Sequence, residues 1–402
     1  MQQTLTDEQI ARAVTHAQGP GARVLRSREL AGGTFNSVHL LTLATRPVGL
    51  RDRDPDRDGD PVPGERPVVL KVAPPAGTPL MTYEGELMRT EAEFYRRASA
   101  VPGLPVPGVV ATGFDRSAIG ADYLLMTHLE GEPWNRLRPG IGAEDQARLR
   151  TDLGRLVRGL HRVRGSSFGY PYGNPPAGAG AGASWRSAFQ GMLADVCADA
   201  RRFGAPLPVD PDLVLGLVRE RGRLLDQVTA PSLVHFDLWE GNILLAERDS
   251  RLEISGIIDG ERSFWGDPLA DLASTALFDD ITRDPAFLSG YRPGPGPGPG
   301  PGPGPLTADE RLRIAMYRAY LALIVLVEGV PRGYDPQARA PLTDLAAADL
   351  ASALGGVSRI SAASRALART LLLPRRSGKH PLDLLRQAPP DRRQPSARPA
   401  NG

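Results

Sequence analysis

The chain has 402 residues, of which 41% are hydrophobic and 23% are charged, an ordinary composition for a soluble globular protein with room for two domains or lobes. The formal net charge of only +2 argues against nucleic-acid or membrane partners. The single cysteine, Cys197, excludes an internal disulfide framework and favours a reducing compartment. We therefore expect a cytoplasmic protein, and the sequence leaves its oligomeric state open.

Residues 1–22 predict one polar helix, in which Thr6 and Gln9 would form a capping box. The segment lacks the apolar core of a secretion signal. The most apolar helix, at residues 317–330, is too short to span a bilayer and carries Arg318 and Glu328. Neither segment therefore predicts a membrane anchor.

Residues 23–130 alternate like strands and predict a small, mostly β lobe with one helix at about 84–100. The runs "VVLKVA" (68–73) and "DYLLMTHL" (122–129) have the composition and length of strands. The charged, Pro- and Gly-rich segment 51–67 is expected to be a loop insertion between two strands.

Residues 131–373 predict a larger, mostly α lobe. Its helical patterns fall at about 143–230, 267–281, 307–330 and 341–373, with two short strands at 243–247 and 252–258. The Pro-Gly tract 293–305 is expected to be a semi-flexible spacer, because every second residue lacks an N–H group. The basic, Pro-rich residues 374–402 are expected to be a disordered tail.

Charged and polar residues interrupt the apolar run "LVHFDLWEGNILL" (233–245), where His235, Asp237 and Asn242 stand as H-x-D-x-x-x-x-N. Asp259 closes a second apolar strand, "ISGIID". If both strands deliver oxygen ligands to one rim, Asn242 and Asp259 could hold Mg²⁺, which takes one or two carboxylates besides phosphate oxygens and water. Asp237 would face the same cavity and could accept a proton from an attacking hydroxyl. The alternative is that these side chains only cap turns.

The first lobe offers a matching ion pair. Lys71 lies in an otherwise apolar strand, and Glu91 falls on the apolar stripe of the helix that follows. A glutamate on a buried face is costly unless it is paired, so we predict a Lys71–Glu91 pair like the one that phosphoryl transfer uses. A solvated lysine on an edge strand is the alternative. Glu84, Glu86 and Glu93 lie off the stripe and are expected to be solvated.

The segment "AGGTFNSVHLL" (31–41) lies between two strand-like runs, as a phosphate-covering hairpin should. Only Gly33 and Val38 match the pattern G-x-G-x-x-G-x-V, and Ala31 and Asn36 occupy the outer glycine positions. Asparagine tolerates the left-handed backbone region better than most residues, so the turn is feasible. A generic hairpin is the alternative.

The stretches "HFDLWEGNILL" and "GIIDGERSFWGDPLADLAS" resemble the aminoglycoside phosphotransferase-like family of small-molecule kinases. The family patterns are close to H-G-D-x-x-x-x-N and to I-D-W/F-E followed by G-D-P and D-L-A. The resemblance extends from about residue 23 to 330. It implies an α+β, bilobal, protein-kinase-like fold, with a nucleotide-binding N-lobe at 23–130 and a C-lobe at 131–373 that carries the catalytic loop and acceptor site.

The resemblance implies a role for each residue that matches the motifs. The catalytic aspartate would be Asp237, the Mg²⁺ ligands would be Asn242 and Asp259, and the phosphate-anchoring pair would be Lys71 and Glu91.

Further positions take roles from the same resemblance. The hinge Met126–Leu129 would meet the adenine of ATP, with GTP as the open alternative, and Gly33 would lie in the loop over the phosphates. His235 would orient the catalytic loop through hydrogen bonds, and Asp267 and Asp271 would be structural.

Two residues depart from the family pattern. Phe236 replaces the usual glycine after the histidine, and Gly260 replaces the usual aromatic residue after Asp259. We expect Phe236 to narrow the packing of the loop and Gly260 to make the metal-binding segment more mobile. Neither change removes a catalytic group.

The acceptor is expected to be a hydroxyl of a small molecule, because the segment after Asp259 is too short to dock a peptide. The helices that follow carry Asp279, Asp280, Asp284 and Glu328, which would form an acidic wall for an aminoglycoside or another basic antibiotic. The alternative is that these acids lie on a solvated face.

Other acceptors stay open. Trp185 and Trp265 could stack on a sugar or belong to the core. The tryptophan of "HFDLWEGN" also appears in fructosamine-kinase-like relatives, so a glycated amine is an alternative, as are homoserine and choline-type metabolites. A regulatory, nucleotide-binding pseudokinase is the alternative of another class, and the complete set of catalytic residues argues against it.

Overall fold

The structure is a computed structural model that describes residues 4–30, 35–45, 64–172, 184–293 and 304–358. Gly33, most of the Pro-Gly tract and the tail 374–402 lie outside the described residues. Most of the predicted insertion 51–67 does so as well. Its last four residues, however, belong to a strand that pairs with the preceding one, with Pro67 opposite Thr42, so the prediction of a loop through residue 67 is wrong.

The small lobe is one antiparallel sheet between two helices. Its elements are α1 (Asp7–Gln18), β1 (Arg23–Glu29), β2 (Ser37–Thr45), β3 (Gly64–Val72), α2 (Leu87–Ala98), β4 (Val109–Gly113) and β5 (Tyr123–Thr127). The strand order is β1-β2-β3-β5-β4. Thr6 and Gln9 form the predicted capping box at α1. Helix α1 covers one face of the sheet, and α2 packs against Leu124 and Met126 on the other.

The large lobe is mostly helical. Its elements are β6 (Glu132–Pro133), α3 (Trp134–Leu137), α4 (Ala143–Leu160), α5 (Trp185–Phe203), α6 (Pro211–Glu220), β7 (Ser232–Val234), β8 (Ile243–Arg248), β9 (Arg251–Ile257), β10 (Phe264–Gly266), α7 (Asp271–Thr275), α8 (Pro285–Tyr291), α9 (Ala308–Glu328) and α10 (Pro336–Ser358). The architecture confirms the predicted α+β fold with a β-rich N-terminal region and a helical C-terminal region.

Two predicted helices differ in extent from those observed. The helix predicted at about 267–281 is limited to α7, because a 3₁₀ turn precedes it and Phe278 has a positive φ of 60°. The helix predicted from 341 begins at Pro336 and contains Pro341. Within the described ranges, no helix combines the length and the apolar character needed to cross a membrane.

The core of the large lobe surrounds α9 and contains both tryptophans considered for sugar stacking. Trp185 is fully buried, stacks on Phe264 and donates from Nε1 to the hydroxyl of Tyr317 (2.8 Å). Trp265 is buried in β10. Of the two alternatives left open for these tryptophans, sugar stacking or the core, the structure supports the core.

Candidate active site

The loop that carries Asp237 connects β7 to β8, and its backbone is held by the fully buried Asp271. The main-chain N–H groups of His235 and Phe236 donate to the two carboxylate oxygens of Asp271, at 3.1 and 2.6 Å. His161 Nε2 lies 2.8 Å from the same carboxylate. These contacts agree with the structural role expected for Asp271.

His235 connects the loop to the end of β9. Its Nδ1 accepts a hydrogen bond from the N–H of Asp237 (3.2 Å), and its Nε2 lies 3.0 Å from the carbonyl oxygen of Ile258. Burial lowers the pKa of His235, so the neutral ring can accept at Nδ1 and donate at Nε2. This geometry agrees with the predicted orienting role.

Asn242 and Asp259 come from segments that are bonded to each other. The N–H of Ile258 donates to the carbonyl of Asn242 (3.0 Å), and Asn242 Nδ2 donates to the carbonyl of Asp237 (2.9 Å). The Asp259 side chain, at φ 66°, remains 37% exposed. An amide oxygen and a carboxylate are the oxygen ligands that Mg²⁺ takes, so the donor set fits this ion.

A second group of charges, the Lys71 cluster, consists of Lys71, Glu91, Asp259 and Glu261. Lys71 Nζ lies 2.7 Å from Glu91 Oε2, 2.5 Å from Asp259 Oδ1 and 2.8 Å from Glu261 Oε2. The structure thus brings the predicted pair Lys71 and Glu91 together. It adds Glu261, which the sequence analysis missed although Glu261 stands at the glutamate of the quoted I-D-W/F-E pattern.

The Lys71 cluster holds more negative than positive charge. Burial alone would lower the pKa of Lys71, but the three carboxylates raise it well above its usual value. Burial raises the pKa of Glu91 to about 7 despite Lys71, whereas Lys71 outweighs burial and lowers the pKa of Asp259. One ammonium group therefore does not neutralise three carboxylates.

Tyr95 and Asn36 also contact the Lys71 cluster. The sequence analysis predicted neither contact. The Tyr95 hydroxyl donates to Glu91 Oε1 (2.8 Å) and accepts from the N–H of Asp259 (2.9 Å). Asn36 Nδ2 donates to Glu261 Oε2 (2.6 Å). Asn36 is not among the described non-glycine residues with positive φ, so it does not adopt the left-handed conformation that was considered feasible there.

Asp237 is partly buried, with 15% of its side chain exposed, and lies beside a guanidinium group. Burial raises the pKa of Asp237 to about 7, and Arg262, whose Nη1 lies 3.9 Å from Asp237 Oδ1, opposes this rise. Arg262 Nη2 also donates to Glu328 Oε2 (2.7 Å). The base candidate therefore lies at the edge of a larger ionic network.

That network, the Glu328 cluster, consists of Glu328, Arg262, Arg332 and Arg339. Besides Arg262, the Glu328 carboxylate contacts Arg332 and Arg339, each at 3.1 Å. Arg332 also pairs with the buried Glu84. The prediction that Glu84 is solvated is therefore wrong, and the buried Glu328 belongs neither to an acidic wall nor to a solvated face, the two alternatives left open for it.

The other acids of the proposed wall also have partners. Asp284 pairs with Arg150 (2.6 Å) and caps α8, Asp280 caps a 3₁₀ turn, and Asp279 pairs with Arg283 (3.2 Å). A continuous acidic wall is therefore absent from these four residues, because each carboxylate is already bound within the protein.

The two residues that depart from the family pattern, Phe236 and Gly260, are both tightly packed. Phe236 adopts φ 62°, which is unfavourable for a bulky residue, and its fully buried ring packs on Phe264 and Tyr320. A Cβ atom on Gly260 would lie 2.4 Å from Cδ1 of Phe94. Gly260 is thus a buried point of close packing, contrary to the expectation that it adds mobility.

The predicted hinge passes between the lobes. Met126 is buried in β5, and Leu129 is half-buried, with its side chain packed against Gly256 of β9. Val38 of β2 and Val69 of β3, two paired strands of the same sheet, are half-buried. The hinge thus connects the sheet to the strands that carry Asn242 and Asp259.

Comparisons with known proteins agree with this geometry. A thermostable mutant of aminoglycoside phosphotransferase APH(4)-Ia, in a ternary complex with AMP-PNP and hygromycin B, superposes with a TM-score of 0.54 at 18% identity over 88% of this chain and 99% of that chain. A protein of Thermobifida fusca assigned as a fructosamine-3-kinase gives a TM-score of 0.54 at 20% identity over 86% and 99%. These likenesses establish the fold.

Sequence comparisons identify the family. A protein of Synechocystis sp. named "Probable ketoamine kinase" is 25% identical over 288 residues, which cover 70% of this chain and 80% of that protein. The model of the phosphotransferase enzyme family, APH, matches residues 62–305. That range includes the Lys71 cluster, the catalytic-loop motif and Asp259. The chain belongs to the phosphotransferase enzyme family and is a small-molecule kinase.

Proposed function

We propose that the protein transfers the γ-phosphoryl group of ATP to a hydroxyl of a small molecule, with Asp237 as the catalytic base. The placement of Asp237 is the observation that carries this proposal. Its backbone is fixed by Asp271 and His235, and burial raises the pKa of its carboxyl to about 7. A carboxylate with that pKa accepts a proton more readily than an ordinary aspartate at neutral pH.

The remaining residues would bind and orient the nucleotide. Lys71, held by Glu91, would contact the phosphates, and the hinge Met126–Leu129 would contact the adenine, with GTP as the alternative nucleotide. Asn242 and Asp259 would hold Mg²⁺, which when bound would neutralise charge on the phosphates. In this proposal the N-lobe, 23–130, binds the nucleotide and the C-lobe, 131–373, binds the acceptor.

We propose a glycated amine as the acceptor. The ketoamine kinase relative supports this class, since its match covers 80% of that protein. The catalytic loop also carries Trp239, whose ring lies over Gly241, where a Cβ atom would approach it to 2.2 Å. The absence of a free acidic wall among the four acids considered removes the argument that had favoured aminoglycosides. An aminoglycoside is the second candidate, because a similarly folded enzyme holds hygromycin B.

The test is ADP release by the purified full chain with Mg²⁺ and ATP, against ketoamines, aminoglycosides, homoserine and choline. We expect acceptor-dependent ADP release that falls at least about a thousandfold in Asp237→Asn, while the Kd for ATP changes by less than about twofold. Full activity of Asp237→Asn would exclude Asp237 as the base. ATP binding without turnover on any acceptor would favour the regulatory pseudokinase.

A further inference from the structure

The guanidinium group of Arg262 is bonded at one terminal nitrogen and unbonded at the other. Its Nη2 donates to Glu328 Oε2 (2.7 Å), and only 11% of the side chain is exposed. Its Nη1 lies 3.9 Å from Asp237 Oδ1, which is beyond hydrogen-bond distance. Among the described residues Nη1 has no hydrogen-bond acceptor, yet it is not fully buried, so a ligand atom can reach it. A donor is therefore available beside the proposed base.

Arg262 keeps its positive charge in this environment. Burial alone would lower its pKa, but Glu328, Tyr83 and Asp237 raise it well above its usual value. The bond from Nη2 to Glu328 also limits the movement of the guanidinium plane. The chain thus holds a permanent cation in a fixed orientation next to the base. Preorganised charges of this kind stabilise the charge that develops in a transition state.

The reacting groups would come close to this unbonded nitrogen. An acceptor hydroxyl that gives its proton to Asp237 lies within about 2.6–3.2 Å of the carboxylate. Because Nη1 lies 3.9 Å from the same carboxylate, the attacking oxygen and the phosphoryl group that it meets come within reach of the guanidinium. Position 262 lies outside both H-x-D-x-x-x-x-N and I-D-W/F-E, so the resemblance assigns it no role.

We propose that Arg262 is a further catalytic residue, whose Nη1 donates a hydrogen bond to an oxygen of the phosphoryl group during its transfer. In this step the acceptor oxygen bonds to the γ-phosphorus, the bond from phosphorus to the leaving oxygen of ADP breaks, and Asp237 takes the hydroxyl proton. Arg262 gives up no proton and offsets the negative charge on the phosphoryl oxygens. The inference rests on the proposed function, which assigns the base and the phosphoryl donor.

Two other roles for Arg262 would use the same contacts. In one, Arg262 acts only by opposing the rise in the pKa of Asp237. In the other, it only balances the charge of Glu328. A phosphoryl contact differs from both, because its loss slows the reaction even when Asp237 is fully ionised and the fold is intact.

The experiment compares Arg262→Gln, Arg262→Lys and Arg339→Gln in the full chain. Arg339→Gln is the matched control, because it also removes one guanidinium group from Glu328, at 3.1 Å and with a similar side-chain exposure of 16%. Activity is measured as ADP release with Mg²⁺, ATP and the acceptor that the wild type uses best, as a function of pH. Calorimetry gives the Kd for ATP and for ADP with aluminium fluoride, which mimics the phosphoryl group in transfer. Denaturation reports folding.

We expect the high-pH plateau of kcat to fall at least about a hundredfold in Arg262→Gln, while the Kd for ATP changes by less than about threefold. The affinity for ADP with aluminium fluoride should fall at least about tenfold in the same variant. Arg262→Lys keeps a positive charge but loses the planar fork, so its plateau should be intermediate, at least about tenfold below the wild type. Arg339→Gln should keep kcat within about threefold of the wild type.

Each contrary result has a distinct meaning. If the plateau of Arg262→Gln equals that of the wild type and only its inflection moves to higher pH, Arg262 acts on Asp237 alone and the phosphoryl contact is wrong, while the proposed function stands. An equal loss of kcat in Arg339→Gln would also overturn the contact, since the effect would then come from Glu328. If Arg262→Gln does not fold, a wild-type plateau in Arg262→Lys would overturn it. A wild type that releases no ADP with any acceptor would overturn both proposals.

Discussion

Two buried ionic clusters lie side by side in this molecule with opposite composition. In the Lys71 cluster one ammonium group meets three carboxylates, and in the Glu328 cluster one carboxylate meets three guanidinium groups. The consecutive residues Glu261 and Arg262 belong one to each cluster. A single turn of the chain after Asp259 therefore connects both.

The clusters differ in how completely their charges are balanced. In the Glu328 cluster, Arg332 also pairs with Glu84 and Arg262 lies beside Asp237. Burial alone would raise the pKa of Glu328, but the three arginines lower it to about 2. The pKa of Glu91 in the Lys71 cluster is instead raised to about 7. The Glu328 cluster is thus a balanced internal support, whereas the Lys71 cluster retains negative charge that an incoming cation can neutralise.

The largest expected effect is on stability, in Glu328→Gln. Removing the carboxylate that the three arginines share leaves their largely buried guanidinium groups short of counter-charge, although Arg332 keeps Glu84 and Arg262 keeps Asp237. We therefore expect the free energy of unfolding to fall by about 3–5 kcal/mol. Chemical denaturation measures this change. Glu253→Gln, at an exposed position of β9, is the control and should change it by less than about 0.5 kcal/mol. A loss below about 1 kcal/mol in Glu328→Gln would contradict the supporting role.

The pH dependence of activity tests the ionisation of Asp237, which lies at the edge of the Glu328 cluster. Asp237 must be ionised to accept a proton, and burial raises its pKa to about 7 despite Arg262. We therefore expect kcat/KM to fall about tenfold for each pH unit below about 7 and to level off above it. A profile that stays flat to about pH 5 would show that Arg262 compensates fully for burial.

Tyr95→Phe tests the hydrogen bonds that connect α2 to Asp259. The ring is retained, but Glu91 Oε1 loses its donor and the N–H of Asp259 loses its acceptor. We expect kcat/KM to fall about tenfold, because the positions of Glu91 and Asp259 become less well defined. Tyr172→Phe, which removes a hydroxyl from an exposed ring, is the control and should leave kcat/KM unchanged. Equal activity of both variants would show that packing alone positions α2.

The smallest effect is expected for Glu91→Gln, the counterpart of Glu328→Gln. Lys71 keeps Asp259 and Glu261 as partners, and the cluster loses repulsion between like charges. We therefore expect the free energy of unfolding to change by less than about 1 kcal/mol. Denaturation of the two variants side by side measures the contrast. A loss as large as that of Glu328→Gln would mean that both clusters are equally balanced.

The sequence was sufficient to predict contacts that follow from a local pattern of residues. The Lys71–Glu91 pair could be predicted because a 3.6-residue period placed a glutamate on the buried stripe of α2, where it needs a partner. The same helical period gave the wrong burial for Glu84, because Glu84 lies in the 3₁₀ turn Thr82–Glu86 before the helix begins. Its partner, Arg332, is 248 residues away, and no local pattern indicates such a pairing.

Contacts between distant segments were also beyond the sequence. Glu328 ends a long apolar helix. Its partner Arg332 lies only four residues later, whereas Arg262 comes from a segment 66 residues earlier, whose approach depends on the whole fold. Asn36 was judged only by the backbone conformation that it tolerates, so the donor on its side chain was overlooked. Glu261 lay in a recognised motif, yet its neighbours became evident only when β2 and β3 were placed against it.

The close contact between Gly260 and Phe94 has a consequence for how this chain can evolve. The two residues share one fixed space, since any side chain at 260 would overlap the Phe94 ring. Phe94 lies on α2 one turn from Glu91, so pressure on the ring would displace the helix that holds Lys71. An aromatic residue can therefore occupy position 260 only after position 94 has become smaller, so the order of the two mutations decides whether the intermediate protein keeps α2 in place.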